Sequence, residues 1–215
     1  MEPNPIDVAS QLRKPTGEFG VEIGDFMHKG NADSYKYLLE VIFWQKGVRV
    51  MEVGMGAGMH IKALVQSISC KSYLGLDYSE TMIEEAKKHT AGINDISFVC
   101  GNAEEMDVLD GSCDILFTIN TVYFYENPLG VFKEMYRVLG KDGKVVIGKR
   151  TKEDLDLLSN ITDHGFNKLS GEQVENYMRE AGFSDVSTVV YADSEKEFPT
   201  GELIKLHTEF VVGTK

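Results

Sequence analysis

Positive charge is scarce in this chain, cysteine is sparse, and long apolar runs are missing. Lys and Arg number 22 against 34 Asp and Glu in 215 residues, a formal charge of -12. Such a field repels phosphate backbones and anionic headgroups, which argues against a general nucleic-acid or membrane-surface binder. The three cysteines, Cys70, Cys100 and Cys113, form no CxxC and have no histidine at ligand spacing. They suggest neither a disulfide framework nor a metal site and are read as buried free thiols. No apolar stretch reaches the roughly 18 residues of a membrane span, and no basic-then-apolar leader opens the chain, so a cytoplasmic protein is expected. What is present, 42% hydrophobic residues without compositional bias, suits one globular domain with a proper core.

Residues 1–20 are rich in Pro, Gly and polar side chains and read as an irregular lead-in. Phe19, Ile23, Phe26 and Met27, then Tyr35, Leu38, Leu39, Ile42 and Phe43, recur at helical spacing. Asn31 or Asp33 serves as an N-cap and Gly47 as a C-cap, so residues 1–47 form a lead-in and helical cap. From residue 48 to 215 the rhythm is one of short β-rich runs alternating with helical faces, the pattern of parallel βαβ units. Strands are predicted at 48–53, 71–77, 96–100, 114–120, 144–149, 186–192 and 205–213. Helical faces lie between them: Ile61, Leu64, Val65 and Ile68; Met82, Ile83 and Ala86 behind an Ser79 N-cap, with a Glu84–Lys88 pair; Val131, Phe132, Met135, Val138 and Leu139; and a helix near 172–181. The link between the last two strands contains Pro199 and Gly201 and no helical face, so the last strand is expected to run antiparallel to its neighbour.

At the end of the first strand stands VMEVGMGAGMH, with Gly54, Gly56 and Gly58 on alternate positions. Glycine lets the backbone pass against a ligand, and the following helix start aims N–H groups at an anionic group. The dinucleotide fingerprint G-x-G-x-x-G requires glycine at 59, where Met59 stands. Asp77 ends the second strand nineteen positions after Gly58, and its carboxylate can accept bonds from both hydroxyls of a ribose. His60, in a first helical turn, is read as a solvated surface residue.

The pattern E-x-G-x-G-x-G, the string LDYSETMIEEA, the sequence Gly101-Asn102-Ala103-Glu104, DILFTIN followed by TVYFYENP, and VFKEMYRVLGKDGKVVIGKR together resemble the motifs of class I S-adenosylmethionine-dependent methyltransferases over residues 48–150. The resemblance implies a Rossmann-like three-layer α/β sandwich, with a mostly parallel seven-stranded sheet ending in an antiparallel strand. It implies S-adenosylmethionine as cofactor, S-adenosylhomocysteine as product, and a cofactor site of Glu52 near the methionine part, Gly54, Gly56, Gly58, Asp77, Tyr78, Met82, Asn102, Ala103 and Asn120. The family's usual acid at 102 is an amide here, whose carbonyl still accepts from an adenine amino group.

Methyl transfer from a sulfonium is an in-line displacement in which alignment matters most, and no catalytic residue is assigned. A small-molecule acceptor is expected, with no nucleic-acid or membrane partner, in a monomer or homodimer. Tyr123 and Phe124 beyond the fourth strand, with His28, Tyr35 and Phe166, are candidates for the acceptor side. The alternatives are an NAD(P)-dependent oxidoreductase and a non-catalytic nucleoside-binding scaffold.

Overall fold

The computed structural model describes residues 4–42, 44–197 and 203–215; Phe43, Pro199 and Gly201 lie outside them. Three helices open the chain, α1 (Pro5–Arg13), α2 (Gly17–Gly30) and α3 (Ala32–Val41). The first corrects the expected irregular lead-in. Asn4 accepts from the Ile6 N–H at 3.1 Å, Pro5 fills the first turn with Asp7, and Ala9 is buried, so capping and one tertiary contact suffice where apolar periodicity is weak. Helix α3 ends at Val41, and Gly47 instead turns the chain into the sheet, its N–H donating to Ser69 O at 3.1 Å. Phe26 lies off the buried face and is 64% exposed.

The alternation predicted from residue 48 onward is present as β1 (Arg49–Val53), α4 (Ile61–Ile68), β2 (Ser72–Asp77), α5 (Glu80–His89), β3 (Ile96–Cys100), β4 (Cys113–Ile119), α6 (Pro128–Val138) and β5 (Leu139–Arg150). Short helices α7 (Lys152–Leu157) and α8 (Ser159–Thr162) precede α9 (Gly171–Ala181), β6 (Ser184–Ala192), a small antiparallel pair β7 (Lys196–Glu197) and β8 (Leu203–Ile204), and β9 (His207–Thr214). The main sheet has seven strands in the order β3-β2-β1-β4-β5-β9-β6. All neighbours are parallel except β9, which runs antiparallel to both β5 and β6.

Strand parity builds the three layers. Met51, Val53, Leu116, Val145 and Ile147 face α6 and α9, whereas Val50, Ile115, Phe117, Ile119 and Val146 face α3, α4 and α5. Both faces are covered, so the central strands read as continuous apolar runs. The cap joins this core through Leu38 and Ile42. Ser79 caps α5 as expected, while Lys88 pairs with Glu85 at 2.6 Å and not with Glu84. Of the cysteines only Cys113 is buried; Cys70 is half-buried and Cys100 is exposed at the end of an edge strand. Strand order reverses between β1 and β4, which opens a crevice at their carboxyl ends.

Candidate active site

The glycine turn occupies that crevice, and its three glycines differ in surroundings. A Cβ on Gly54 would meet Thr121 Cγ2 at 2.2 Å, and one on Gly58 would meet Ala86 Cβ and Ile61 Cδ1 at 2.8 Å. Gly56 has nothing within 4 Å of that direction and a φ of +58°. It is thus the one position of the three where bare backbone faces open space, in a conformation that side-chain-bearing residues rarely adopt. The Gly56 N–H donates to Asp77 Oδ2 at 2.8 Å, and the Ser79 N–H to Asp77 Oδ1 at 2.9 Å. Asp77 is 8% exposed, and burial raises its carboxyl to about 6 against the lowering effect of these N–H bonds. Each oxygen keeps a further lone pair for a donor.

Glu52, wholly buried at the end of β1, sits in a cage drawn from three other elements. Tyr35 from α3 donates to Oε1 at 2.8 Å; His60, the N-cap position of α4, donates from Nε2 to Oε2 at 2.8 Å; Tyr73 from β2 also donates to Oε2. Burial and the adjacent carboxylate push both phenols well above their usual range, so they remain donors. The Tyr35 and His60 rings stack at 3.8 Å, and His28 lies beyond, 6.5 Å from His60. His60 is 9% exposed, which corrects the expectation of a solvated surface residue. A buried carboxylate at Glu52 demands donors, and the first turn of α4 is where the chain can supply one. Tyr73, unnoticed in the sequence, shares strand parity with Gly75, the register partner of Glu52; that parity was the available signal.

At the end of β4, Asn120 holds a left-handed φ of +56°. Its Nδ2 donates to Asn31 Oδ1 and its Oδ1 accepts from the Tyr123 hydroxyl, both at 2.8 Å. Tyr123 is buried and also accepts from the Arg150 N–H, so it braces the strand end and has no free face. Phe124 and Phe166 pack edge to face at 4.7 Å, with Tyr123 6.0 Å from Phe124 and 5.7 Å from Phe166. The expected acceptor-side residues therefore divide: Tyr123, Phe124 and Phe166 form one cluster, and His28 and Tyr35 belong with Glu52.

Tyr78, 52% exposed, stands at the rim beneath Lys14, whose Nζ lies 4.1 Å from the ring centroid. Met82 is fully buried, its sulfur 3.2 Å from where a Gly24 Cβ would stand. Asn102 is exposed and its Oδ1 accepts from the Glu104 N–H at 3.0 Å; the Gly101 N–H bonds Asp77 O, which sets this loop and Ala103 beside the second strand end. Among the described residues no cluster of three or more His, Cys, Asp or Glu is placed to hold a metal ion, and no helix is long and apolar enough to cross a membrane.

Comparison with known proteins agrees with this geometry. The methyltransferase domain family matches residues 51–147. A malonyl-[acyl-carrier protein] O-methyltransferase from Marinomonas sp. is 30% identical over 60% of this chain and 47% of its own length. A demethylmenaquinone methyltransferase from Staphylococcus epidermidis is 32% identical over 59% of this chain and 53% of its own. The chain thus spans about half the length of these curated relatives. The crystal structure of an S-adenosylmethionine-dependent methyltransferase from Thermotoga maritima superposes with a TM-score of 0.72 at 21% identity, covering 97% of this chain and 99% of that one, which shows a shared fold. Sheet order, the glycine turn at the end of β1 and the matched domain together identify residues 51–147 as a methyltransferase domain with the fold of S-adenosylmethionine-dependent methyltransferases.

Proposed function

We propose that the chain transfers a methyl group from S-adenosylmethionine to a small-molecule acceptor by in-line displacement. The observation that carries this reading is the Gly56 N–H lying 2.8 Å from the buried Asp77 carboxylate, with open space where a Gly56 side chain would be. A nucleoside laid along that bare backbone brings its sugar hydroxyls to the remaining lone pairs of Asp77. S-adenosylmethionine would supply a methyl already activated on a positively charged sulfur.

The chain's own contribution is to hold and align. Asp77 grips the sugar, Tyr78 and Met82 bound the adenine from the rim and the floor, and Asn102 and Ala103 face its polar edge. Gly54 and Gly58 keep the turn closely packed, while Glu52 and Asn120 fix the two strand ends beneath the methionine part. Such alignment supplies up to about 7–11 kcal/mol of barrier reduction. Helices α2 and α3 cover the crevice and limit water. Phe124 and Phe166 offer the acceptor an apolar wall, near a cleft of about 360 Å³ between α1 and the segment after α8, lined by Ile6, Ala9, Ser10, Arg13, His164 and Gly165. That volume suits a small molecule. The curated relatives are named for a carrier-bound malonyl group and for demethylmenaquinone, and with half their length shared neither substrate is assigned to this chain.

Thermal unfolding with S-adenosylhomocysteine, and with NAD as the control, tests the reading. S-adenosylhomocysteine at a hundred times its Kd should stabilise the fold by about 2.7 kcal/mol, and NAD should leave it unchanged. Stabilisation by NAD alone would turn the assignment to an oxidoreductase. Stabilisation by S-adenosylhomocysteine, without labelled methyl reaching any of a broad panel of small acceptors, would favour a binding scaffold.

A further inference from the structure

Helix α1 turns one face toward the segment after α8. Ile6, Ala9, Ser10 and Arg13, three or four residues apart, line one side of the cleft between them, and His164 and Gly165 line the other. Ile6, 55% exposed, stands at one end of this face and Arg13 at the other, about 10 Å away along the helix axis. Two of the six lining side chains can carry charge, and both are basic. Among the described residues no carboxylate lines the cleft, although acids outnumber bases by 34 to 22 in the chain.

Arg13 is held in place without being used up. Its Nη2 donates to Glu126 at 2.5 Å, while Nε and Nη1 have no protein acceptor among the described residues and remain for a ligand. The pair is open to solvent, Arg13 being 42% and Glu126 77% exposed, so a competing anion displaces little binding energy. This end of the cleft also adjoins the crevice. Lys14 stands 4.1 Å over the Tyr78 ring, and Pro15 O accepts from the Ser79 hydroxyl. Glu126 follows Phe124 by two residues and Phe166 follows Gly165, so chain continuity ties the charged end to the edge-to-face pair of Phe124 and Phe166.

We propose, on the reading that the chain methylates a small molecule, that this cleft takes the acceptor and that Arg13, with His164 opposite, selects acceptors bearing a carboxylate or phosphate on an apolar body. The planar guanidinium matches either anion with two parallel hydrogen bonds. Ile6 and Ala9 supply the contact for the body.

NMR titration of the full chain saturated with S-adenosylhomocysteine tests this with phenylacetate, phenyl phosphate, phenylacetamide and acetate. The two aromatic anions should bind at least about tenfold more tightly than the amide, the scale of a charged hydrogen bond. They should exceed by a similar factor acetate, which has the charge without the body. Whichever aromatic anion binds more tightly identifies the group the cleft reads. Arg13→Gln should erase the preference for anions and leave the affinities for the amide and for S-adenosylhomocysteine unchanged; Arg13→Lys, which keeps the charge and loses the fork, should retain only part of it. Equal binding of amide and anions, a preference that survives in Arg13→Gln, acetate matching phenylacetate, or no binding by any probe would each overturn the cleft assignment and leave the cofactor reading standing. A wild type that does not bind S-adenosylhomocysteine would end the methyl-transfer reading, and the acceptor role of the cleft with it.

Discussion

Three glycines that look equivalent in VGMGAG have different physical jobs. Ala at Gly54 or Gly58 would collide with Thr121 or with Ala86 and Ile61, so each substitution is expected to cost more than about 2 kcal/mol through overpacking and backbone strain, read as a shift of the urea midpoint. The Cβ of a Gly56→Val side chain would stand in open space, so the variant should leave most stability intact, apart from about 1 kcal/mol for its backbone conformation, yet abolish S-adenosylhomocysteine binding in calorimetry. Unchanged binding by that variant would mean that the turn faces no ligand. Asp77 gives two opposed pH effects. Its folded pKa, about 6 against an ordinary 3.8, lies above the unfolded value, so its contribution to stability is full below pH 4 and is lost as pH rises through 6. The rise corresponds to about 3 kcal/mol, and urea unfolding from pH 4 to 7 should show it in the wild type and not in Asp77→Ala. Cofactor affinity should move the other way, growing as the carboxylate ionises, and Asp77→Ala should weaken it by more than about 1 kcal/mol. The acid and the glycines were legible because their types and spacing are local; the Tyr35, Tyr73 and His60 donors of Glu52 were not, since they come from other elements.

Elements are held by their ends. Helix α9 carries a reciprocal capping box, Ser170 accepting from the Gln173 N–H while the Gln173 side chain accepts from the Ser170 N–H, and Ser170→Ala should cost about 1 kcal/mol in urea unfolding. The ends of β5 and β9 bury charges in pairs. Lys149, fully buried, meets Glu209 at 2.5 Å, and Arg150 meets Asp193 at 2.5 Å while also donating to Gly30 O at 3.0 Å. The second pair ties the α2–α3 junction to the sheet, helped by Ser34 on Thr208 at 2.9 Å and Tyr37 on Ala192 O at 2.7 Å. Arg150→Ala removes the ion pair with Asp193 and the bond to Gly30 O together, so it should cost about 1.5–3 kcal/mol in urea unfolding, the scale of a hydrogen bond to a charged group, and an unchanged midpoint would show that this pair does not hold the cap. The main strands and helices from residue 48 onward followed from periodicity; these charge pairs did not, because their partners stand 60 and 43 residues apart and meet only where the sheet brings β9 between β5 and β6.

Across the whole molecule, a sheet apolar on both faces carries a cap fastened largely by hydrogen bonds. Asn31 to Asn120, Tyr35 to Glu52, Ser34 to Thr208 and Arg150 to Gly30 span sequence separations from 17 to 174 residues. Polar fastenings open more readily than a packed core. Amide hydrogen exchange should therefore be faster in α2 and α3 than in β1, β4 and β5. S-adenosylhomocysteine should slow exchange in the cap, the glycine turn and the end of β2, and leave the edge strand β6 unaffected. Equal protection of cap and sheet without ligand would contradict this division.

By itself the sequence determined the alternation of strands and helices, the antiparallel ending, the glycine turn and the acid on the next strand. All of these arise from side-chain period, glycine sterics and spacing along one chain, which are local properties. Tertiary structure alone decided which glycine stays open, that His60 is buried against Glu52, that α1 forms, and that His28 and His60 stand together at the turn. Burial and hydrogen-bond partners are set by which distant segments share a layer, and no local pattern encodes that.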